Sequence, residues 1–249
     1  MNRPTTHTDL YQQFTATRPD FRNANLAELL LTYLKGNSVL DVGCGYGLLL
    51  GLAHLHGYAV EGIEPDAKLR TLAQAQYPTL TIHPDAVENF SPPGQYDTVV
   101  AADILECVPD YRVTLAALTQ LVKPGGRLLL VAPALPWLFG SRDRMMGYHR
   151  RFSRAQLLSA LADLGLTIRL TRYWNAILVL PYLLLYKFWG SQSHYEKLRS
   201  HPAPGRPAQY LSALLLFWFR QVENRFSLGI GLSLIVVAES ESQRGADAK

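Results

Sequence analysis

Nine residues, Val39–Gly47 (VLDVGCGYG), constrain this 249-residue chain more than any other stretch. Val39–Val42 is a short apolar run of the kind that forms a buried strand, and Leu48–His56 has helical character up to a stop at Gly57. Between them stand three glycines at alternate positions, Gly43, Gly45 and Gly47. Glycine lets a backbone turn sharply and lets a ligand come close to it. In open α/β sheets such loops lie at the carboxyl ends of strands, where ligands bind. The dinucleotide fingerprint G-x-G-x-x-G needs its third glycine at position 48, which is Leu48, so a dinucleotide site is matched only in part.

The rest of the chain supports a sheet of that kind. Residues 22–34 carry Leu26, Leu29, Leu30, Tyr33 and Leu34 at helical spacing. Strands are predicted at Tyr58–Ile63, Thr79–His83, Tyr96–Ala101, Arg127–Ala132, Thr167–Tyr173 and Gly231–Ala238. Helices are predicted at Ala67–Gln76, Tyr111–Leu121 and Arg154–Leu164, the last with Ser153 as its N-cap. The alternation implies a doubly wound α/β fold: a seven-stranded, mostly parallel, Rossmann-like sheet with helices on both faces. A helical insertion precedes the last strand. The organisation is read as a core over 1–173, an apolar insertion over 174–229, and a last strand with a polar tail over 230–249.

Composition excludes several classes. With 48% hydrophobic residues and a mean hydropathy of +0.01, the chain is neither disordered nor collagen-like. Two cysteines, Cys44 and Cys107, cannot build a disulfide scaffold, so a reducing compartment is expected. The N-terminus, MNRPTTHTDLYQQ, has no apolar signal-peptide core, which points to the cytoplasm. The longest apolar stretches, Ala176–Tyr186 and Leu211–Phe219, are well short of the ~20 residues of a spanning helix. The net charge of +4 hides an asymmetry. Residues 1–140 hold 9 Lys+Arg and 13 Asp+Glu, a balance of −4, whereas residues 141–249 hold 15 and 7, a balance of +8.

The second strand ends in Glu64-Pro65-Asp66, about 20 residues after the glycine loop, where nucleotide-binding sheets place an acid for the ribose hydroxyls. His83-Pro84-Asp85-Ala86 and Asp103-Ile104-Leu105-Glu106 fall at the ends of the next two strands, so all converge on one crevice. With these motifs in order, the chain resembles the class I S-adenosylmethionine-dependent methyltransferases over about residues 22–173 and 231–238. VLDVGCGYG is similar to their first motif, and YDTVVAADILECVPD and LVKPGGRLLLVAP to their fourth- and fifth-strand motifs. The resemblance implies S-adenosylmethionine as cofactor, with Glu64 and Pro65 at the ribose and Asp85-Ala86 at the adenine. It places Gly43, Cys44 and Gly45 against the cofactor by backbone. Asp41 falls on the methionine side or orients the loop, Ala102 and Asp103 fall on the methionine side, and Arg22 on the cofactor carboxylate, as in ubiquinone-type O-methyltransferases.

Methyl transfer requires positioning of the acceptor and, for a hydroxyl acceptor, removal of a proton. The segment Gly140–Phe152 (GSRDRMMGYHRRF) resembles a subgroup pattern D-x-x-x-G-H-x-R-R-[YF]. Asp143, Gly147, Arg150, Arg151 and Phe152 match. The pattern's histidine falls on Tyr148, and His149 occupies the variable place. Three readings of the base stay open: His149 one position along, Tyr148 itself, or no base. His149 is carried as the candidate, with Tyr148, Arg150 and Arg151 as candidate acceptor contacts, the two arginines alternatively forming a basic helix entry. Ubiquinone-type relatives carry acid-x-x-Glu-His after the fourth strand, a pattern able to hold a divalent metal. Here Cys107 replaces that histidine, and no metal is expected. No Asn-Pro-Pro-Tyr tetrapeptide of base or amide methylators occurs, and no nucleic acid partner is expected.

In this family the sixth and seventh strands are joined by a short connection. Here 56 residues, 174–229, fill the gap with Trp174, Tyr182, Tyr186, Trp189, Trp218 and many leucines. Two readings stand: a helical lid over the acceptor site, or a surface for peripheral contact with the inner face of an anionic membrane. The expected function is O-methylation of a hydrophobic, lipid-linked or anionic small molecule. The alternatives are a non-catalytic cofactor-binding module docking on a membrane or partner enzyme, and an NAD-dependent oxidoreductase. The oligomeric state is open.

Overall fold

The computed structural model describes residues 21–184, 214–215 and 217–241. Helix α1 (Phe21–Leu31) precedes β1 (Ser38–Val42), α2 (Leu48–Leu55), β2 (Ala59–Ile63), α3 (Ala67–Gln76) and β3 (Thr81–His83). Then come β4 (Tyr96–Ala102), α4 (Tyr111–Gln120), β5 (Val122–Pro133), α5 (Ser141–Met145), α6 (Arg154–Ala162) and β6 (Thr167–Trp174). A short α7 (Val179–Tyr182), a π-helical turn (Phe219–Glu223) and β7 (Ser233–Glu239) close the chain. The strands form one seven-stranded sheet in the order β3-β2-β1-β4-β5-β7-β6. Neighbours from β3 to β5 are parallel, and β7 runs antiparallel between β5 and β6.

The two faces follow from the alternation of side chains along a strand. Leu40, Val99, Leu128 and Leu130 point to one face, where Leu115 and Leu118 of α4 and Leu157 and Leu161 of α6 cover them. Val39, Val100, Leu129 and Val131 point to the other, under Leu26 and Leu30 of α1 and Leu49 of α2. A sheet covered on both faces needs continuous apolar strands, and LLLVA in β5 is such a run. Side-chain caps set the helix starts: Asp66 accepts from Lys68 and Leu69, Asp110 from Arg112, and Ser153 from Gln156.

Strand β5 begins earlier than its Pro-Gly-Gly sequence predicts. Pairing with β4 passes from Tyr96↔Val122 directly to Thr98↔Arg127, so Lys123–Gly126 arches out of register and the strand resumes. Gly125 makes the arch at φ +75°, and its N–H donates to Ser240 O.

The insertion leaves the carboxyl end of β6 and returns to the start of the antiparallel β7. Its stems therefore stand at the same end of the sheet as the ligand crevice. Glu223 ties them together by accepting from the N–H groups of Ala176 and Ile177 (2.8 and 3.0 Å) and from Trp218 Nε1 (2.9 Å). Arg172 donates to Tyr33 Oη and to the carbonyls of Glu223, Asn224 and Phe226. The expected helices and aromatics between 185 and 213, including Tyr186 and Trp189, lie outside the described residues, as do 1–20 and the tail from 242. Among the described residues no helix is long and apolar enough to cross a membrane.

Candidate functional site

The crevice is built on the glycine loop. The N–H groups of Gly43 and Cys44 both donate to Ile63 O, at 2.8 and 3.0 Å, which fastens the loop to the end of β2. Gly43, Gly45 and Gly47 take φ of +70°, +59° and +82°. For other L-residues that region costs roughly 1–2 kcal/mol. Gly43 has a further reason to lack a side chain, since a Cβ there would lie 2.4 Å from Ile104 Cγ2. The loop after β1 is thus pressed against the loop after β4.

Glu64 closes the loop from the next strand. Its Oε2 accepts from Gly45 N–H (2.8 Å) and its Oε1 from Asp66 N–H (2.9 Å). A carboxylate has about four acceptor sites, so Glu64 retains capacity for two ribose hydroxyls. Burial raises its pKa, against the two N–H groups that lower it. Asp41, buried at the end of β1, is pushed up to about 7 by burial and then by the charge of Glu64. Cys44 stays a thiol, because burial and the same two carboxylates raise it well above its ordinary value. Cys44 therefore serves the loop by its backbone, not as a nucleophile.

Asp103 ends β4 with φ +55°, one of three non-glycine positive values among the described residues. Its N–H donates to Val131 O (2.9 Å) and its Oδ2 accepts from Arg22 Nη1 (2.7 Å). Arg22 also donates to Ser233 Oγ at the start of β7 and lies over the Trp174 ring. Arg22, Ala102 and Asp103 are thus gathered at one end of β4. Pro65 is exposed beside Glu64, and Ala86 caps the short turn Val87–Asn89. Asp85 lines a cavity of about 370 Å³ with Glu61, His83 and Phe90 at the β2–β3 edge of the crevice.

Glu106 went unassigned in the sequence reading. It is fully buried, and neither carboxyl oxygen has a hydrogen-bond partner among the described residues. Burial, then the charge of Asp103, raises its pKa well above the ordinary value, with Arg22 and Arg151 opposing. Its carbonyl accepts from His149 N–H (2.7 Å), which stitches the Gly140–Phe152 loop to the loop after β4. Tyr148, half-buried beside it, has its hydroxyl pKa raised by burial and by Glu106 and Asp103. The ring of His149 is on the exposed side. Nothing in the letters DILEC signals burial of the glutamate.

Arg150 and Arg151 part company. Arg150 donates to Pro109 O and lies over the Tyr111 ring. Arg151 is buried and pairs with Asp143 through Nε and Nη2 (3.0 and 2.7 Å), with further bonds to Ala134 O and Tyr182 Oη. The assignment of Arg151 to the acceptor is corrected by this geometry: its guanidinium faces protein on each bonded side and holds the loop together. The Asp and second Arg of the pattern, eight residues apart, are a buried ion pair. Among the described residues no group of three or more His, Cys, Asp or Glu is gathered as a metal site.

A methyltransferase domain family matches residues 14–171, more than half of the chain, and the chain belongs to it. It is similar to the ubiquinone biosynthesis O-methyltransferase of Escherichia coli (strain K12 / DH10B), with 39% identity over 102 residues, 37% of this chain and 41% of the relative. The protein of that name from Sodalis glossinidius is 40% identical over 101 residues, 38% of this chain and 41% of the relative. The chain thus matches about two fifths of the length of these relatives. Among solved structures, an S-adenosylmethionine-dependent methyltransferase from Mesorhizobium loti aligns with a TM-score of 0.59 at 16% identity, over 87% of this chain and 97% of that one. One from Archaeoglobus fulgidus aligns at 0.60 and 13%, over 93% and 98%. At these identities the likeness is one of fold.

Proposed function

We propose that this chain transfers the methyl group of S-adenosylmethionine to a hydroxyl of a hydrophobic, lipid-linked or anionic small molecule. A lipid-linked glycan or a polyprenyl quinone precursor is the acceptor class that fits best, and the reaction is placed on the cytoplasmic side. The observation that carries the cofactor reading is the Gly45–Glu64 contact of 2.8 Å. It sets an acid with spare acceptor sites against a loop whose glycines leave room for a ligand. The family match and the relatives' names support the reaction, and the apolar insertion at the crevice end supports the acceptor.

Bound there, the cofactor supplies a methyl carbon already activated by its sulfonium. Glu64 would accept from the ribose hydroxyls, Asp85 and Ala86 would border the adenine, and Arg22 would meet the methionine carboxylate. The chain's own part in the transfer would be to position the acceptor hydroxyl and to take up its proton. His149, anchored through its N–H on Glu106, is the proposed proton acceptor, and Tyr148 and Arg150 the proposed acceptor contacts. Calorimetry with S-adenosylmethionine and with NAD tests the cofactor. Binding of the former, lost in Glu64→Ala, is expected. Binding of NAD alone would falsify the reading, and intact affinity in Glu64→Ala would remove the crevice assignment.

A further inference from the structure

The described parts of the second half expose apolar side chains in one region of the fold. Of eleven large apolar residues exposed among the described residues, eight lie at Trp137 or between Leu180 and Ile230. Trp137 follows β5 at its carboxyl end, and the others belong to the two stems of the insertion or, for Ile230, to the approach to β7, which leave and re-enter the sheet at that same end. Leu180 and Leu184 are four residues apart on one side of the α7 segment. Tyr182, between them, turns inward to Asp143 and Arg151. Phe226, Leu228 and Ile230 alternate along a six-residue run in which every residue is exposed. Burial of the core therefore does not account for these side chains. A soluble surface seldom shows so many together without a partner.

The exposed charges of the same segments have one sign. The segments 135–152, 174–184 and 217–232 contain two acids, Asp143 and Glu223, and both are buried in hydrogen bonds. They contain six arginines, of which only Arg151 is buried. The accessible charge of these segments is wholly positive, carried by Arg142, Arg144, Arg150, Arg220 and Arg225. Arg220 shares its charge with Glu28 of α1. Arg144 borders the Phe139 ring beside Trp137. A second copy of this face would meet like charge. A nucleic acid would leave the leucines and phenylalanines in water. Aromatic and aliphatic side chains with a rim in which arginines outnumber acids fit an anionic lipid surface, where the rings and leucines enter the headgroup boundary and the arginines meet phosphate.

We infer that the end of the sheet bearing Trp137, Leu180, Phe217, Phe226 and Ile230 docks on an anionic bilayer, with Arg144 and Arg225 among its charged contacts. The docking deepens the proposed use of a lipid-linked acceptor, because it turns the crevice mouth toward the membrane. Its test needs no turnover, so it can fail while the methyltransferase reading stands.

The test is flotation of the full chain with vesicles of phosphatidylcholine alone and of phosphatidylcholine with phosphatidylglycerol. Co-flotation with the anionic vesicles at low ionic strength is expected. It should fall sharply at about 1 M salt, where screening reaches ~3 Å. Arg144→Glu with Arg225→Glu should lower the floated fraction roughly tenfold or more, and Phe226→Ser with Ile230→Ser comparably. S-adenosylmethionine affinity, measured by calorimetry on the same samples, reports that each variant is folded. The inference is overturned if wild type stays with the soluble fraction, if it floats equally with both vesicles, or if folded variants float like wild type.

Discussion

Arg22 Nη1 lies 2.7 Å from Asp103 Oδ2, which joins the first described helix to the end of β4 across 81 residues of sequence. The pair is about a quarter exposed, so its Coulomb energy in isolation is worth roughly 0–1 kcal/mol. Its value lies in placement. Asp103 holds a left-handed backbone, and Arg22 arrives there with Trp174 beneath it and Ser233 beside it.

The first prediction concerns that placement. Arg22→Ala should weaken S-adenosylmethionine binding by roughly tenfold or more if Arg22 has its proposed charge-assisted bond to the methionine carboxylate. The melting temperature should move little. Arg22→Lys should recover part of the affinity, because it keeps the charge but not the fork. Calorimetry and thermal melts on the three proteins check this; an unchanged affinity in Arg22→Ala would assign Arg22 to Asp103 alone.

A second prediction comes from the approach of Gly43 to Ile104. Gly43→Ala adds a Cβ 2.4 Å from Ile104 Cγ2 at a φ of +70°. Both effects oppose folding of the loop, the backbone alone by roughly 1–2 kcal/mol. Cofactor affinity should drop with stability. Ile104→Ala in the same chain should restore the steric part and leave the backbone part. A double variant no better than Gly43→Ala would show that the contact between the two loops is not what limits the site.

The glycine loop and Glu64 were legible in the sequence because their requirements are backbone requirements, written in residue type and spacing. The two faces of β5 were legible in LLLVA for the same reason, and Ser153 in its cap. Where side chains choose among partners, the letters said less. Arg150 and Arg151 are neighbours with one chemistry, yet one reaches Pro109 and the other is enclosed by Asp143, Ala134 and Tyr182. Glu106 reads as a loop acid, and only the packing around β4 shows it buried. Helix α5 is five residues, four of them polar, too short and too charged for a periodic signal. Pro124-Gly125-Gly126 read as a break, because an arch inside a strand leaves the same composition as a turn.

Asp41 gives a pH prediction. Its folded-state pKa is about 7, raised from 3.8 by burial and Glu64. The folded protein therefore binds this proton more tightly than the unfolded chain. Stability from this group is greatest below pH 4 and falls as pH rises from about 4 to 7, by on the order of 4 kcal/mol. Asp41→Asn removes the titration. Relative to wild type it should be more stable at pH 8, with the difference shrinking or reversing at pH 5. Denaturant unfolding at the two pH values measures it, and a difference independent of pH would mean that Asp41 is not held protonated by its surroundings.

The last prediction separates structure from acceptor binding at the Arg151 cluster. Asp143 and Arg151 are both buried, and Tyr182 Oη accepts from Arg151 Nη2 at 2.6 Å. Removing one member of a buried ion pair leaves the other uncompensated and costs about 3–5 kcal/mol, whereas replacing both by apolar residues of similar volume costs far less. Arg151→Met should therefore destabilise strongly, and Asp143→Leu with Arg151→Met should recover most of the loss. Tyr182→Phe removes the hydroxyl's bonds to two charged groups, Arg151 and Asp143, and should cost at least about 1.5–3 kcal/mol. Because Tyr182 belongs to the insertion, its loss should also speed hydrogen exchange in both α7 and the Gly140–Phe152 loop. Exchange that quickens in α7 alone would mean that the insertion and the Gly140–Phe152 loop are not coupled through this cluster.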